Sequence, residues 1–146
     1  MLKSSLLGAA VTLAAAFSAT AQDAPKLYPY DGSFEDATFS VESAIIGKGL
    51  VIDYVSHVGE MLERTRADMG SDIVLYDGAQ VFVFCSAALS RKMMEADPLN
   101  IAHCPYGIFV MDRDGEVMIG YRPYPQGPMQ EVEALLHEIA TEAVEF

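Results

Sequence analysis

The chain has 146 residues, 51% of them hydrophobic, with 21 acidic against 9 basic side chains and a net charge of -12. That length suits one domain with one core. The acidic excess leaves few cations to neutralise phosphates, so neither nucleic acid nor anionic lipid is an expected partner.

Residues 1–21 read as a cleaved export signal: Lys3 is a short basic start, Leu6 to Phe17 an uncharged apolar run, and Ala19-Thr20-Ala21 a small-x-small cleavage pattern. The run is shorter than the roughly 20 residues a membrane-crossing helix needs, so no membrane anchor is expected. No cysteine lies near the cleavage site, which argues against lipid attachment there. The expected mature chain starts at Gln22, forms a single domain over 22–146, and resides in the periplasm or outside the cell, where cysteines can pair.

Ser33, with Asp36 three residues on, predicts a helix start, and Phe34, Ala37, Val41, Ala44 and Ile45 then recur at helical spacing. Leu50 to Val58 is β-branched and alternating, which predicts a half-buried strand with Leu50, Ile52 and Tyr54 on one face and Val51, Asp53 and Val55 on the other. A short charged helix follows over Glu60 to Met69. Val81 to Cys85 is almost continuously apolar and predicts a central strand covered on both faces. Ser86 caps a helix from Ala87 to Ala96, stopped by Asp97-Pro98. Tyr106 to Met111 and Val117 to Tyr121 flank Asp112-Arg113-Asp114-Gly115, a hairpin signal. Pro128 opens a final helix, with Met129, Val132, Leu136, Ile139, Ala143 and Phe146 as its apolar stripe and Glu131, Glu138, Glu142 and Glu145 opposite. A meandering antiparallel sheet with helices before, within and after it is an α+β pattern.

Cys85 and Cys104 are the only cysteines. Cys85 ends an apolar strand just before a helix start, where backbone N–H groups and the helix dipole favour a thiolate. Cys104 enters another strand, and if the two strands are neighbours the sulfurs meet at one edge of the sheet. Three chemistries are open for the pair: a structural disulfide, a thiol–disulfide redox couple, or a metal or haem site completed by His103 and by a thioether from Met93 or Met94. Adjacent strand residues point to opposite faces, so His103 and Cys104 share an ion only if the strand has not begun there. No C-x-x-C-H sequence is present for covalent haem. His57 and His137 read as surface or interface residues. Asp112, Asp114 and Gly115 fit a turn better than a calcium loop, because Pro123 stands where the bidentate glutamate belongs. Tyr106, Tyr121, Tyr124 and Arg122 either line a pocket for a planar or anionic ligand or serve as ordinary core and rim. A nucleophile elbow, a phosphate-binding glycine loop and a His-Glu-x-x-His helix are all missing, so an enzyme is not the expected reading.

Gly49 with its following strand, Phe84-Cys85, Asp97-Pro98, Cys104-Pro105, the Asp114-Gly115 hairpin and the Tyr121-Arg122-Pro123 exit occur in an order that resembles the domain of unknown function 302 family, over about Tyr28 to Phe146. The resemblance implies a fold similar to the TATA-box-binding-protein type, with a curved antiparallel sheet, helices packed on one face and a tendency to form homodimers. It implies no settled activity, and fold similarity carries no function. Cys85 and Cys104 place the chain with a cysteine-bearing subgroup. The expectation is an exported ligand- or partner-binding accessory module with a Cys85/Cys104 disulfide and no cofactor, binding a small ligand or a periplasmic protein. The alternative is a thiol–disulfide redox protein, or a copper- or haem-binding one, using the same cysteines.

Overall fold

The computed structural model describes residues 24–146, so the expected signal at 1–21 lies outside the described residues. The elements run β1 (Lys26–Pro29), α1 (Phe34–Gly47), β2 (Val51–Ser56), α2 (Val58–Thr65), β3 (Gly78–Cys85), α3 (Ala87–Ala96), a 3-10 turn (Pro98–His103), β4 (Tyr106–Arg113), β5 (Glu116–Tyr121) and α4 (Gln130–Val144). The five strands form one open antiparallel sheet in the order β1-β5-β4-β3-β2. This is a single α+β domain.

Helix α1 starts where its sequence closes a capping box: the Ser33 hydroxyl accepts from the Asp36 N–H, and the Asp36 carboxylate accepts from the Ser33 N–H. Its buried residues Ala37, Val41, Ala44 and Ile45 meet Val132, Leu136, Ile139 and Ala143 of α4 in one core. Strand residues Phe82, Phe84, Tyr106, Ile108, Val110, Val117 and Ile119 complete that core from the sheet's inner face. Burying aliphatic side chains of this size contributes about 1.5–3 kcal/mol each. The last residue of the predicted α4 stripe, Phe146, is 72% exposed: it stands beyond the helix end at Val144, with its ring edge-on to that of exposed Phe39.

Two strand expectations are corrected. In β2 the register shifts between Ile52 and Tyr54, so Asp53 is an extra residue and the alternation reverses beyond it. Ile52 and Val55 therefore both pack against the core, while Val51 and Tyr54 are exposed together on the outer face. Strand β3 is interior to the sheet but covered on one face only. Phe82 and Phe84 are buried, whereas Val81 and Val83 are half-buried on the outer side. The apolar run of β3 therefore reflects an apolar open face.

The β4–β5 hairpin turns through Asp114 and Gly115, both with positive φ (56° and 80°), the conformation a two-residue turn of this hand demands. Strand β1 has no counterpart among the predicted elements.

Candidate functional site

Strands β3 and β4 pair as far as Phe84 opposite Tyr106, and the cysteines lie just beyond that last pair. Cys85 is the final residue of β3, and Ser86 behind it caps α3 by accepting from the Leu89 N–H. The chain returns through α3 and the 3-10 turn to Cys104, which precedes a cis bond to Pro105 and the start of β4. The return places the Cys85 and Cys104 sulfurs 3.2 Å apart as free thiols. The expected meeting of the two sulfurs at one sheet edge is thus present.

Around them stands a cluster of hydroxyl and aromatic groups. The Ser90 hydroxyl shares a 2.9 Å hydrogen bond with the Tyr106 hydroxyl and lies 3.7 Å from the Cys104 sulfur. The Tyr106 ring meets Phe84 and Tyr124 edge-on, at 6.4 and 6.2 Å between centroids. Arg122 sits over the Tyr124 ring, 5.4 Å from its centroid. The segment carrying Arg122 and Tyr124 is tied to α4, since the Glu133 carboxylate accepts from the Tyr124 backbone N–H and from the Gln130 side-chain amide.

Electrostatics here favour neutral groups. Burial pushes the Cys85 thiol up to about 11, with Cys104 beside it and Asp53 adding to the rise and the Tyr106 backbone N–H opposing it. The thiolate expected from a helix start is therefore outweighed by desolvation. Arg91 and Lys92 do not offset it, being paired with Glu95 and Glu131. Burial likewise raises the Tyr106 phenol, against the Ser90 hydrogen bond, and the Tyr124 phenol, against the nearby Arg122 charge. Among the described residues the buried Tyr124 hydroxyl has no hydrogen-bond partner.

The outer sheet face beside the cysteines holds a pocket of about 400 Å³ walled by Val81, Val83, Pro105 and Phe109, with Cys104 and Arg122 also in its lining. A second cleft, of about 650 Å³, lies between the starts of α1 and β3 and is lined by Glu35, Glu60, Glu63, Asp77 and Arg64.

The other sequence candidates divide. Arg122 lines the outer-face pocket; Tyr106 also borders it, but its buried ring packs on Phe84 in the inner layer, and Tyr121 points into that same layer, where its hydroxyl meets that of Tyr28 at 3.1 Å and Tyr28 reaches His137 Nδ1 at 2.6 Å. His103 packs 6.0 Å from the Tyr124 ring, and Met93 is buried in the core. Among the described residues no three His, Cys, Asp or Glu side chains are grouped to hold a metal ion. Ser90 was not anticipated. Its one signal was helical spacing, since buried Met93 lies three residues on and shares its face.

Among the described residues no helix is long and apolar enough to cross a membrane. No curated protein matches the sequence. A crystal structure of an uncharacterised conserved DUF302 protein from Bacillus stearothermophilus is similar with a TM-score of 0.60 at 15% identity, covering 83% of this chain and 95% of that one. At that identity the likeness concerns the fold. The family model for the Domain of unknown function DUF302 matches residues 27–145, nearly all of the described chain, and the protein belongs to that family.

Proposed function

We propose that the protein is an exported binding module whose Cys85 and Cys104 close a disulfide at the wall of the outer-face pocket, and that it acts by holding a small ligand or a periplasmic partner. The observation that carries this reading is the 3.2 Å sulfur separation beside an open apolar pocket. A disulfide needs about 2.05 Å, so closure asks for an approach of roughly 1 Å at two chain positions that already converge. Oxidation removes two protons and two electrons, which pass to a disulfide oxidant of the compartment.

The thiol–disulfide redox alternative requires an attacking thiolate, and the burial that pushes Cys85 up to about 11 works against one. A copper or haem role would draw on the same two sulfurs as its nearest paired donors. Homodimerisation belongs to the same proposal: Leu27, Val51 and Tyr54 are exposed apolar groups on the outer face, at the two edge strands of the sheet, which a second copy would cover.

Intact mass measurement of protein recovered from the exported fraction tests the proposal. The expected result is cleavage near Ala21 and a mass two hydrogens below that of the dithiol. A dithiol in protein handled without reductant, or an uncleaved leader, would overturn the exported disulfide module. Sedimentation as a monomer at micromolar concentration would remove the dimer.

A further inference from the structure

We infer that the outer-face pocket is a site for an apolar monocarboxylate, with Arg122 reading the carboxylate and Val81, Val83 and Phe109 receiving the apolar body; the inference rests on the reading of that pocket as a binding site.

The cations carry the argument. Lys26, Lys48, Arg66, Arg91, Lys92 and Arg113 each lie 3.9 Å or less from a carboxylate. Arg64 and Arg122 alone have no such partner among the described residues, and each lines one of the two pockets described above. Their settings differ. Arg64 shares its cleft with four carboxylates, which repel an entering anion. Among the described residues, Arg122 is the only charged one in the lining of its pocket, and the rest of that wall is almost wholly apolar. An arginine left unpaired in a chain with 21 acidic residues marks a place where an anion is accepted rather than already supplied.

Geometry narrows the class. The guanidinium lies over the Tyr124 ring, and the Glu133 hydrogen bonds hold that segment, so its planar donors are presented with little freedom to lose. One guanidinium matches one carboxylate in a two-point hydrogen bond. A phosphate monoester would bring a second charge into the field of a protein at -12, with no second cation among the described residues of the wall. A pocket of about 400 Å³ admits a small molecule such as a medium-chain acid.

The test uses the purified protein near neutral pH with N-phenylnaphthylamine, an uncharged apolar fluorophore, and displaces it with decanoate or with decanol. Decanol is the more readily desolvated of the two, so an apolar wall alone ranks it first. The expected result is the reverse ranking, with decanoate displacing the probe at about tenfold lower concentration, and with added salt eroding that advantage. Arg122→Gln should abolish the preference for decanoate over decanol, and Arg122→Lys should keep part of it. Arg122 is exposed, so neither variant threatens the fold. Decanol displacing as well as decanoate, or a preference that survives Arg122→Gln, overturns the ligand class while leaving an apolar binding pocket. Failure of the wild-type protein to bind the probe, together with no heat of binding for decanoate, overturns the pocket itself and this inference with it.

Discussion

The sulfur of Cys85 lies 3.2 Å from that of Cys104, one step past the last β3–β4 pair, where the sheet no longer holds the two segments together. A covalent bond at that point would extend the ladder's constraint across the α3 return. Closing a loop of this length stabilises a fold by about 3 kcal/mol in the loop-entropy account. For a domain of this size the oxidised form should therefore melt about 10 °C above the reduced one. Calorimetry on both forms checks this, and Cys85→Ser and Cys104→Ser should each melt near the reduced protein. Equal melting temperatures for the oxidised and reduced wild type would remove the structural role.

The raised Cys85 pKa gives the reduced protein a pH dependence of definite sign. The native state holds this proton more tightly than the unfolded chain, whose thiol has its ordinary value of 9.0. The stabilisation is fully present below about pH 9 and is lost as pH rises through about 11. The buried tyrosines Tyr106, Tyr121 and Tyr124, whose pKa values are also raised, lose stability in the alkaline range in both redox forms. Only the reduced form should carry the additional loss, so urea midpoints of the two forms should diverge from pH 9 upward. Parallel curves would show that Cys85 titrates as an ordinary thiol.

Local signals were the legible ones. Ser33 with Asp36, Ser86 before Ala87, Asp97-Pro98 and Asp114-Gly115 act within three or four residues of themselves, and each marks a real boundary. The convergence of Cys85 and Cys104 followed from the same logic, because strands joined by one return helix tend to be neighbours. The Asp53 bulge depends on how β2 meets β3, and nothing in Leu50 to Val58 announces it. An apolar run such as Val81 to Cys85 has the same pattern whether helices or solvent cover its second face, so the open outer face was hidden. Strand β1, four residues ending in proline, is recruited by pairing with β5 and not by its own propensity. Adjacency to Arg122 does not reveal where Tyr121 points: it is the last residue of β5 and stands on the buried face with Val117 and Ile119, whereas Arg122 lies beyond the strand.

Gly120 and Gly107 face the same outer layer, yet substitution should separate them. A Cβ at Gly120 would stand 2.7 Å from the Lys26 carbonyl oxygen and 2.9 Å from Leu27 Cδ2, with the Phe109 ring closer still. A Cβ at Gly107 would meet nothing nearer than Val81 Cγ1 at 3.6 Å. Gly120→Ala must push β1 or Phe109 aside and should destabilise by roughly 1–3 kcal/mol. Gly107→Ala should be neutral or stabilising, within about 1 kcal/mol, since it removes backbone freedom from the unfolded chain. Urea denaturation of both variants decides, and similar losses would mean that Phe109 does not lie over Gly120.

The hydrogen-bonded chain from Tyr121 through Tyr28 to His137 should fail asymmetrically when cut. Tyr121 is buried, and Tyr28 is the one hydrogen-bond partner of its hydroxyl among the described residues. Tyr28→Phe therefore strands a buried hydroxyl and should cost about 1–3 kcal/mol. His137→Ala leaves the Tyr28 hydroxyl beside solvent, where water replaces the lost nitrogen, and should cost less than about 1 kcal/mol. The double variant Tyr28→Phe/Tyr121→Phe should recover part of the loss, because both ends of the unsatisfied pair are then apolar. Equilibrium unfolding of the three variants measures this order, and a His137→Ala loss equal to that of Tyr28→Phe would place the structural weight on the exposed end of the chain instead.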